Sequence, residues 1–146
     1  MKQNYWIFRS LLISAFVCFG LSSCDEDDNS FSKADIVGTW DLIHEEGWEI
    51  YDGDKESWSM DLVNENCFEF HADGTGLEYD PSSSHWKDYD EFTYELSGNK
   101  LIVDYSYGEK ISSTIITLNK TTLILHYTWN DDGERGEQTE TYKRME

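Results

Sequence analysis

Apolar and polar residues alternate along most of this chain, which is the period of a β-strand. The pattern begins at residues 36–42, where Ile36, Gly38, Trp40 and Leu42 fall on one face of the predicted strand. Turn signals then recur about every eight to twelve residues, and no helical period is sustained. A meander of eight or nine antiparallel strands removes its exposed edges by closing. We therefore predict an all-β fold, a single small antiparallel up-and-down β-barrel of about eight strands.

The same alternation selects the candidate interior of the barrel. The first predicted strand runs to about Tyr51, and His44 has the parity of Trp40 and Leu42, so it is expected to offer a polar contact inside a pocket or to lie at its rim. In the later strands the apolar parity falls on several aromatic residues, namely Phe70, Phe92, Tyr94, Tyr105, Tyr127 and Trp129. Together with Trp40, these rings are expected either to line a pocket or to fill the interior. An eight-stranded barrel is wide enough for either arrangement.

The N-terminus has the pattern of an export signal. Lys2 and Arg9 precede an apolar stretch at residues 11–20, which is too short to span a membrane. The following Leu21-Ser22-Ser23-Cys24 resembles the lipobox of bacterial lipoproteins, in which the cysteine receives acyl chains such as palmitate. The alternative is an ordinary signal peptide followed by a free cysteine. We predict a signal peptide at 1–23, lipidated Cys24 and an acidic tether at 24–33, and a barrel domain at 34–146.

The charged residues indicate a cellular location and exclude one class of partner. The chain has 30 acidic residues against 11 Lys and Arg, a net charge of −19. Such a field repels phosphate backbones, so we expect no nucleic acid partner. Residues 25–30 contain four acids and nothing apolar to bury, which indicates a solvated tether. This run resembles the acidic cluster behind the lipidated cysteine of Bacteroidetes lipoproteins, which implies a cell-surface location on the outer membrane. The alternative is retention at the inner membrane, which an Asp directly after the cysteine indicates in enteric-type sorting.

Three short motifs carry a resemblance to a known family. They are Phe-x-Phe-x-x-Asp-Gly-Thr-Gly at residues 68–76, Leu-Ser-Gly-Asn-Lys-Leu at 96–101 and Leu-Asn-Lys-Thr-Thr-Leu at 118–123. With the Gly-x-Trp at Trp40, they resemble the lipocalin-like domains of surface lipoproteins from Bacteroidetes. The resemblance implies that Arg144 stacks on Trp40 and closes one barrel end. It also implies a small apolar or amphipathic ligand in the barrel mouth, on a monomeric protein held to the membrane through Cys24.

The sequence contains no recognisable catalytic motif. Gly-x-Ser-x-Gly, His-Glu-x-x-His, a phosphate-binding glycine loop and Cys-x-x-Cys are all missing from the chain. The acidic turns at residues 52–54 and 130–133 lack EF-hand spacing, so we predict no metal site and no cofactor. Cys67 has no partner in the mature domain and is expected to be a packed thiol. We therefore predict a protein that is not an enzyme. The alternative to ligand binding is a filled barrel that acts through its outer surface on protein partners.

Overall fold

The computed structural model describes residues 31–82, 89–131 and 133–146. The predicted signal peptide, Cys24 and most of the tether lie outside these described residues. The sequence also predicts that the loop at residues 80–87 rims any pocket, and positions 83–87 of this loop lie outside the described residues as well. No helix within the described ranges is long and apolar enough to cross a membrane.

Nine antiparallel strands follow one short helix. In chain order the elements are α1 (Lys33–Ile36), β1 (Gly38–Tyr51), β2 (Asp54–Asp61), β3 (Cys67–Phe70), β4 (Thr75–Tyr79), β5 (Tyr89–Ser97), β6 (Lys100–Tyr105), β7 (Lys110–Leu118), β8 (Thr122–Asp131) and β9 (Glu134–Arg144). Each strand from β3 to β9 pairs with the next, and β9 returns to pair with β1. Eight strands therefore close a barrel, and the predicted all-β barrel is confirmed.

The first strand is long enough to pair with three neighbours. Its first part pairs with β3, from Gly38 opposite Phe70 to Asp41 opposite Cys67. Its second part pairs with β2, from His44 to Tyr51, on the same edge. Strand β2 is thus a ninth strand that raises the barrel wall above the end of β3.

The start of the domain differs from the predicted strand. Ile36 ends the four-residue helix α1, and β1 begins only at Gly38. The Ser32 backbone N–H donates to the Asp35 carboxylate at 3.0 Å, the bond of a capping box at the start of this helix. Ile36 is fully buried, and its carbonyl accepts a hydrogen bond of 2.8 Å from Trp40 Nε1. The helix therefore places a plug under the barrel where alternation alone predicted two more strand residues.

A β-bulge in β1 corrects the predicted orientation of His44. Leu42 is opposite Tyr142 on β9, but His44 is opposite Thr141, so Ile43 is an extra residue. One inserted residue moves every later side chain to the other face. His44 therefore lies on the outer face, where Nδ1 is 2.7 Å from the Asp61 carboxylate. Glu45 takes the inward parity instead.

Apolar side chains fill the end of the barrel near α1. Every strand of the closed barrel except β4 supplies a buried hydrophobic side chain to it, including Ile115 from β7 and Tyr142 from β9. Phe68, Phe70, Phe92 and Tyr94 make consecutive edge and tilted ring contacts at centroid distances of 5.0 to 5.6 Å. Side chains therefore pack the barrel interior at this end.

Candidate functional site

A cavity of about 700 Å³ opens at the end of the barrel away from α1. We call it the mouth cavity. Its walls come from β1, β2, β7, β8 and β9 and from the turn before β7, and its lining residues are Glu45, Glu49, Trp58, Met60, Glu109, Lys110, Ile111, Ser112, Tyr127, Thr128, Trp129 and Gln138. The volume lies within the range of about 300 to 1,000 Å³ that is usual for small-molecule sites.

One wall of the mouth cavity is aromatic. Trp58 on β2 and Trp129 on β8 have ring centroids 6.4 Å apart with planes inclined by 30°, and Tyr127 lies 5.9 Å from Trp129. The spacing of the two indoles leaves no room for a third ring between them. The three rings therefore form one continuous surface facing the cavity.

Two glycines hold the indoles against the sheet. Gly47 is opposite Trp58, and Gly136 is opposite Trp129. A Cβ atom at Gly47 would lie 2.7 Å from the Trp58 ring, and one at Gly136 would lie 2.7 Å from Trp129 Cε2. Because both distances are shorter than van der Waals contact, only glycine lets these rings lie flat. The rings therefore leave the mouth open instead of crossing it.

Carboxylates face the interior directly below this wall. Glu45 and Glu140 are opposite one another on β1 and β9. The Gln138 amide donates to both, at 2.8 Å to Glu140 and 3.4 Å to Glu45. The Tyr142 hydroxyl also donates to Glu140, at 2.7 Å. Two acidic groups are thus held by neutral donors.

Glu78 adds a third inward carboxylate from the far wall. It is opposite Phe68, which is buried, so it shares the inward face. The Asn66 amide donates to it at 2.7 Å, and the Tyr105 hydroxyl donates to its other oxygen. Within the described residues, none of Glu45, Glu78 and Glu140 forms an ion pair with a basic side chain.

This carboxylate layer disfavours further negative charge. Burial raises the pKa of Glu140, and the nearby charges of Glu78 and Glu45 raise it further. Burial also raises the pKa of Tyr127, with Glu140 as the largest charge effect. The polar layer therefore separates the packed half of the barrel from the mouth cavity and gives the cavity floor an acidic character.

The predicted candidate residues divide between the two halves of the barrel. Tyr127 and Trp129 line the mouth cavity, and Tyr105 lies in the carboxylate layer beneath it. The other aromatic candidates, Trp40, Phe70, Phe92 and Tyr94, are buried in the packed half. They fill the interior and do not line the mouth cavity, and His44 lies outside the barrel.

Trp40 and Arg144 meet at the closed end. The Arg144 guanidinium carbon lies 4.1 Å from the Trp40 ring centroid, and its nitrogens donate to the carbonyls of Val37 at 2.7 Å and Asp35 at 2.6 Å. The guanidinium thereby joins β9 to α1 and covers an indole that is fully buried. This arrangement is structural and lies at the end opposite the mouth cavity.

Sequence reasoning did not identify several residues that line the mouth cavity or lie beneath it. Trp58 and Met60 showed strand alternation, but nothing placed their strand at the mouth. Glu45 and Glu49 had the outward parity until the bulge reversed it. Gln138 and Glu140 share parity with Tyr142, which is a signal that the sequence contained. Polar residues in phase with a buried tyrosine would have indicated an inward polar layer.

The described residues support neither a metal centre nor an activated thiol. Within residues 31–82, 89–131 and 133–146, no group of three or more His, Cys, Asp and Glu is arranged to hold a metal ion. Cys67 is buried, and burial raises the pKa of its thiol to about 11. Its sulfur packs 3.7 Å from Met145 Sδ. Such a thiol is a poor nucleophile near neutral pH.

This chain is similar to a known domain family and to solved proteins from Bacteroides. The family model described as a lipocalin-like domain matches residues 36–125. A solved lipocalin-like protein from Bacteroides uniformis is 16% identical, with a TM-score of 0.49 over 76% of this chain and 99% of its own. A solved uncharacterized protein from Bacteroides eggerthii is 15% identical, with a TM-score of 0.48 over 75% of this chain and 98% of its own. The search of curated proteins returned no match.

Proposed function

The chain belongs to the lipocalin-like family, and on that premise we propose that it binds a small molecule in the mouth cavity while anchored to a membrane by lipid on Cys24. The observation that carries the binding proposal is the cavity itself. It has about 700 Å³, an aromatic wall and one open end. A binding role fits better than a catalytic one because the chain carries no recognisable catalytic motif.

The half of the barrel near α1 fits the filled-barrel alternative, and the half with the mouth cavity fits the ligand-binding alternative. The half near α1 is filled with side chains, so a deep apolar cup is not available there. The mouth cavity is shallow, and its ligand would contact Trp58, Tyr127 and Trp129. We therefore propose a ligand with a flat or apolar part that stacks on these rings.

Native mass spectrometry of the full-length protein, extracted from its own membranes, tests this proposal. We expect a retained small molecule in the wild type. The variant Trp58→Ala should lose it, because this indole forms part of the cavity wall. The matched control is Trp48→Ala, which removes a half-buried tryptophan from the outer face of β1. An empty wild-type spectrum, also after incubation with amphipathic and charged small molecules, would favour action through protein partners.

Anchoring at Cys24 is a separate proposal with its own test. The lipobox at residues 21–24 and the positive, apolar segment before it support it. Several acyl chains on one cysteine make release from a membrane negligible. We expect Cys24→Ala to move the protein from the membrane fraction to the soluble fraction, whereas Cys18→Ala, within the apolar segment, should leave it in the membrane. Membrane retention of Cys24→Ala would refute the lipobox interpretation.

We further propose that the domain faces outward from the outer membrane, supported by the acidic run at residues 25–28. Protease treatment of intact cells should then degrade the domain. Replacement of these four acids by Ala should protect the domain from the protease, because the anchored protein would then stay on the inner side of the outer membrane. Protection of the wild type would contradict a surface location.

A further inference from the structure

The faces of Trp58 and Trp129 differ from those of two other tryptophans in this chain. Arg144 covers Trp40 at 4.1 Å, and the Lys55 ammonium lies 4.4 Å from the Trp48 ring centroid. Within the described part of the chain, no side-chain cation lies over Trp58 or Trp129. The mouth cavity therefore presents indole faces whose attraction for a cation is unused.

Two carboxylates flank the same wall. Gly47 lies between Glu45 and Glu49 on the inward face of β1, and the Trp58 ring lies over Gly47. Both glutamates line the mouth cavity, as does Glu109. Within the described residues, neither Glu45 nor Glu49 forms an ion pair. The indole wall is therefore bordered by negative charge that no basic side chain of the described residues neutralises.

Lys110, the one basic side chain among the described lining residues, does not change this balance. The Lys110 ammonium is 2.8 Å from the Asp104 carboxylate, so its charge is already paired at the rim. Glu140 beneath the wall adds another acidic group with a raised pKa. An anionic ligand would meet repulsion from the floor and from the wall, and a metal ion would find no suitable ligand group among the described residues.

From this arrangement we propose that the mouth cavity selects a small organic cation, a protonated or quaternary amine, whose charge lies on the Trp58 and Trp129 wall beside Glu45 and Glu49. This inference rests on the proposed function and specifies its ligand class. Aromatic faces combined with carboxylates are a known means of holding quaternary ammonium groups. The apolar remainder of such a ligand would extend along Tyr127 and Ile111.

Three probes of similar size and different charge test the inference. They are protonated 2-phenylethylamine, neutral 2-phenylethanol and anionic phenylacetate, titrated calorimetrically into the full-length protein in an uncharged detergent, with empty micelles as the blank. We expect the amine to bind at a single site at least about tenfold more tightly than the alcohol. Phenylacetate should bind most weakly. Added salt should weaken the binding of the amine and leave the binding of the alcohol unchanged.

Paired variants connect this preference to the named residues. In the double variant Glu45→Gln, Glu49→Gln, the preference for amine over alcohol should fall to near one while the affinity for the alcohol is retained. Retained alcohol binding excludes a misfolded mouth as the cause. The control is Glu46→Gln, which removes the same charge from the exposed outer face of β1. Trp58→Leu should weaken amine binding by about 2- to 30-fold, the range of a cation–π contact.

The outcomes separate this inference from the function on which it rests. If the alcohol or phenylacetate binds as tightly as the amine, the barrel is a ligand-binding module but the cation inference is wrong. The same conclusion follows if the molecule retained in native mass spectrometry is neutral or anionic. If no probe binds and the native spectrum is empty, both proposals fail. An unchanged preference in the double variant would also overturn the assignment to Glu45 and Glu49.

Discussion

The two ends of this barrel use the same strands for opposite purposes. At the end near α1, Trp40 is fully buried, its face covered by Arg144 and its indole N–H bonded to Ile36. At the other end, Trp58 and Trp129 lie flat over glycines and face an open cavity. The same residue type closes one end and lines the other. The difference lies in what the neighbouring positions supply: a helix and a cation in one case, glycines and carboxylates in the other.

The carboxylate layer marks the boundary between these regions. Glu45, Glu78 and Glu140 bond to neutral amide and hydroxyl donors, so the packed half is screened from the cavity by polar groups whose hydrogen bonds are satisfied. We therefore expect stability to depend mainly on the packed half and ligand selection mainly on the mouth. Substitutions on either side of the layer test this division.

The largest expected effect is at the closed end. Trp40→Ala removes a fully buried indole and leaves a cavity, so we expect the free energy of unfolding to fall by about 3 to 5 kcal/mol. Urea denaturation measures this loss. The control Tyr51→Ala removes an aromatic ring that is 57% exposed and should change stability by no more than about 0.5 kcal/mol. Equal losses in the two variants would contradict the proposed division.

A smaller effect is expected where the mouth wall meets a glycine. Gly136→Ala places a Cβ atom against the Trp129 ring and the Trp48 carbonyl, so we expect a destabilisation of about 1 to 3 kcal/mol from overpacking. The displaced indole should also reduce ligand binding. Thr114→Ala, at an exposed position on β7, is the control for both measurements. A stable Gly136→Ala variant with full binding would show that the flat indole is not required.

The smallest effect, and one of opposite sign, is expected in the boundary layer. Because the pKa of Glu140 is raised on folding, the folded protein holds this proton more tightly than the unfolded chain does. Its charge therefore opposes folding at neutral pH, and the penalty is lost as pH falls through the raised pKa. Glu140→Gln keeps an oxygen for Tyr142 and should raise the free energy of unfolding at pH 7 by about 0.5 to 1.5 kcal/mol.

Chemical denaturation across a pH series checks the sign of this last effect. The gain from Glu140→Gln should shrink as the solution is acidified, because the wild-type carboxyl becomes protonated in the folded state. Glu95→Gln changes the same net charge on the exposed face of β5 and should show no comparable gain. A loss of stability at pH 7 would mean that hydrogen bonds to the carboxylate outweigh its burial.

Much of the architecture was predictable from the chain alone. Alternation, turn residues and the Gly-x-Trp motif predicted the barrel, and several later strands matched an apolar face, such as that of Leu101 and Val103 on β6. Alternation could not predict a single extra residue at Ile43, because a bulge depends on pairing with β9 and has no pattern of its own. That residue decides whether His44 or Glu45 enters the barrel, so the site was less predictable than the fold.

The position of Trp58 at the mouth could not be predicted for a related reason. Its strand was recognised, but its position at the mouth depends on β1 pairing with β2 and β3 along one edge. The helix α1 was missed because a single turn is too short to display a helical period. Ile36 has the parity of Trp40, so alternation predicted that it is buried. It is buried in the structure too, but at the end of a helix instead of in a strand, and the burial pattern does not distinguish the two.

The pairing of β1 with β9 also has a consequence for how the chain folds. It runs from Trp40 opposite Arg144 to Ile50 opposite Arg135, so it joins nearly the first and last residues of the domain. Folding rates fall as native contacts become more distant along the chain. The chain loses conformational entropy when distant segments come together, and this loss precedes the stabilising contacts. We therefore expect slow, cooperative folding in which neither the contact between Trp40 and Arg144 nor the mouth cavity exists until the last strand is in place. A chain truncated before β9 would lack the strand that closes the barrel.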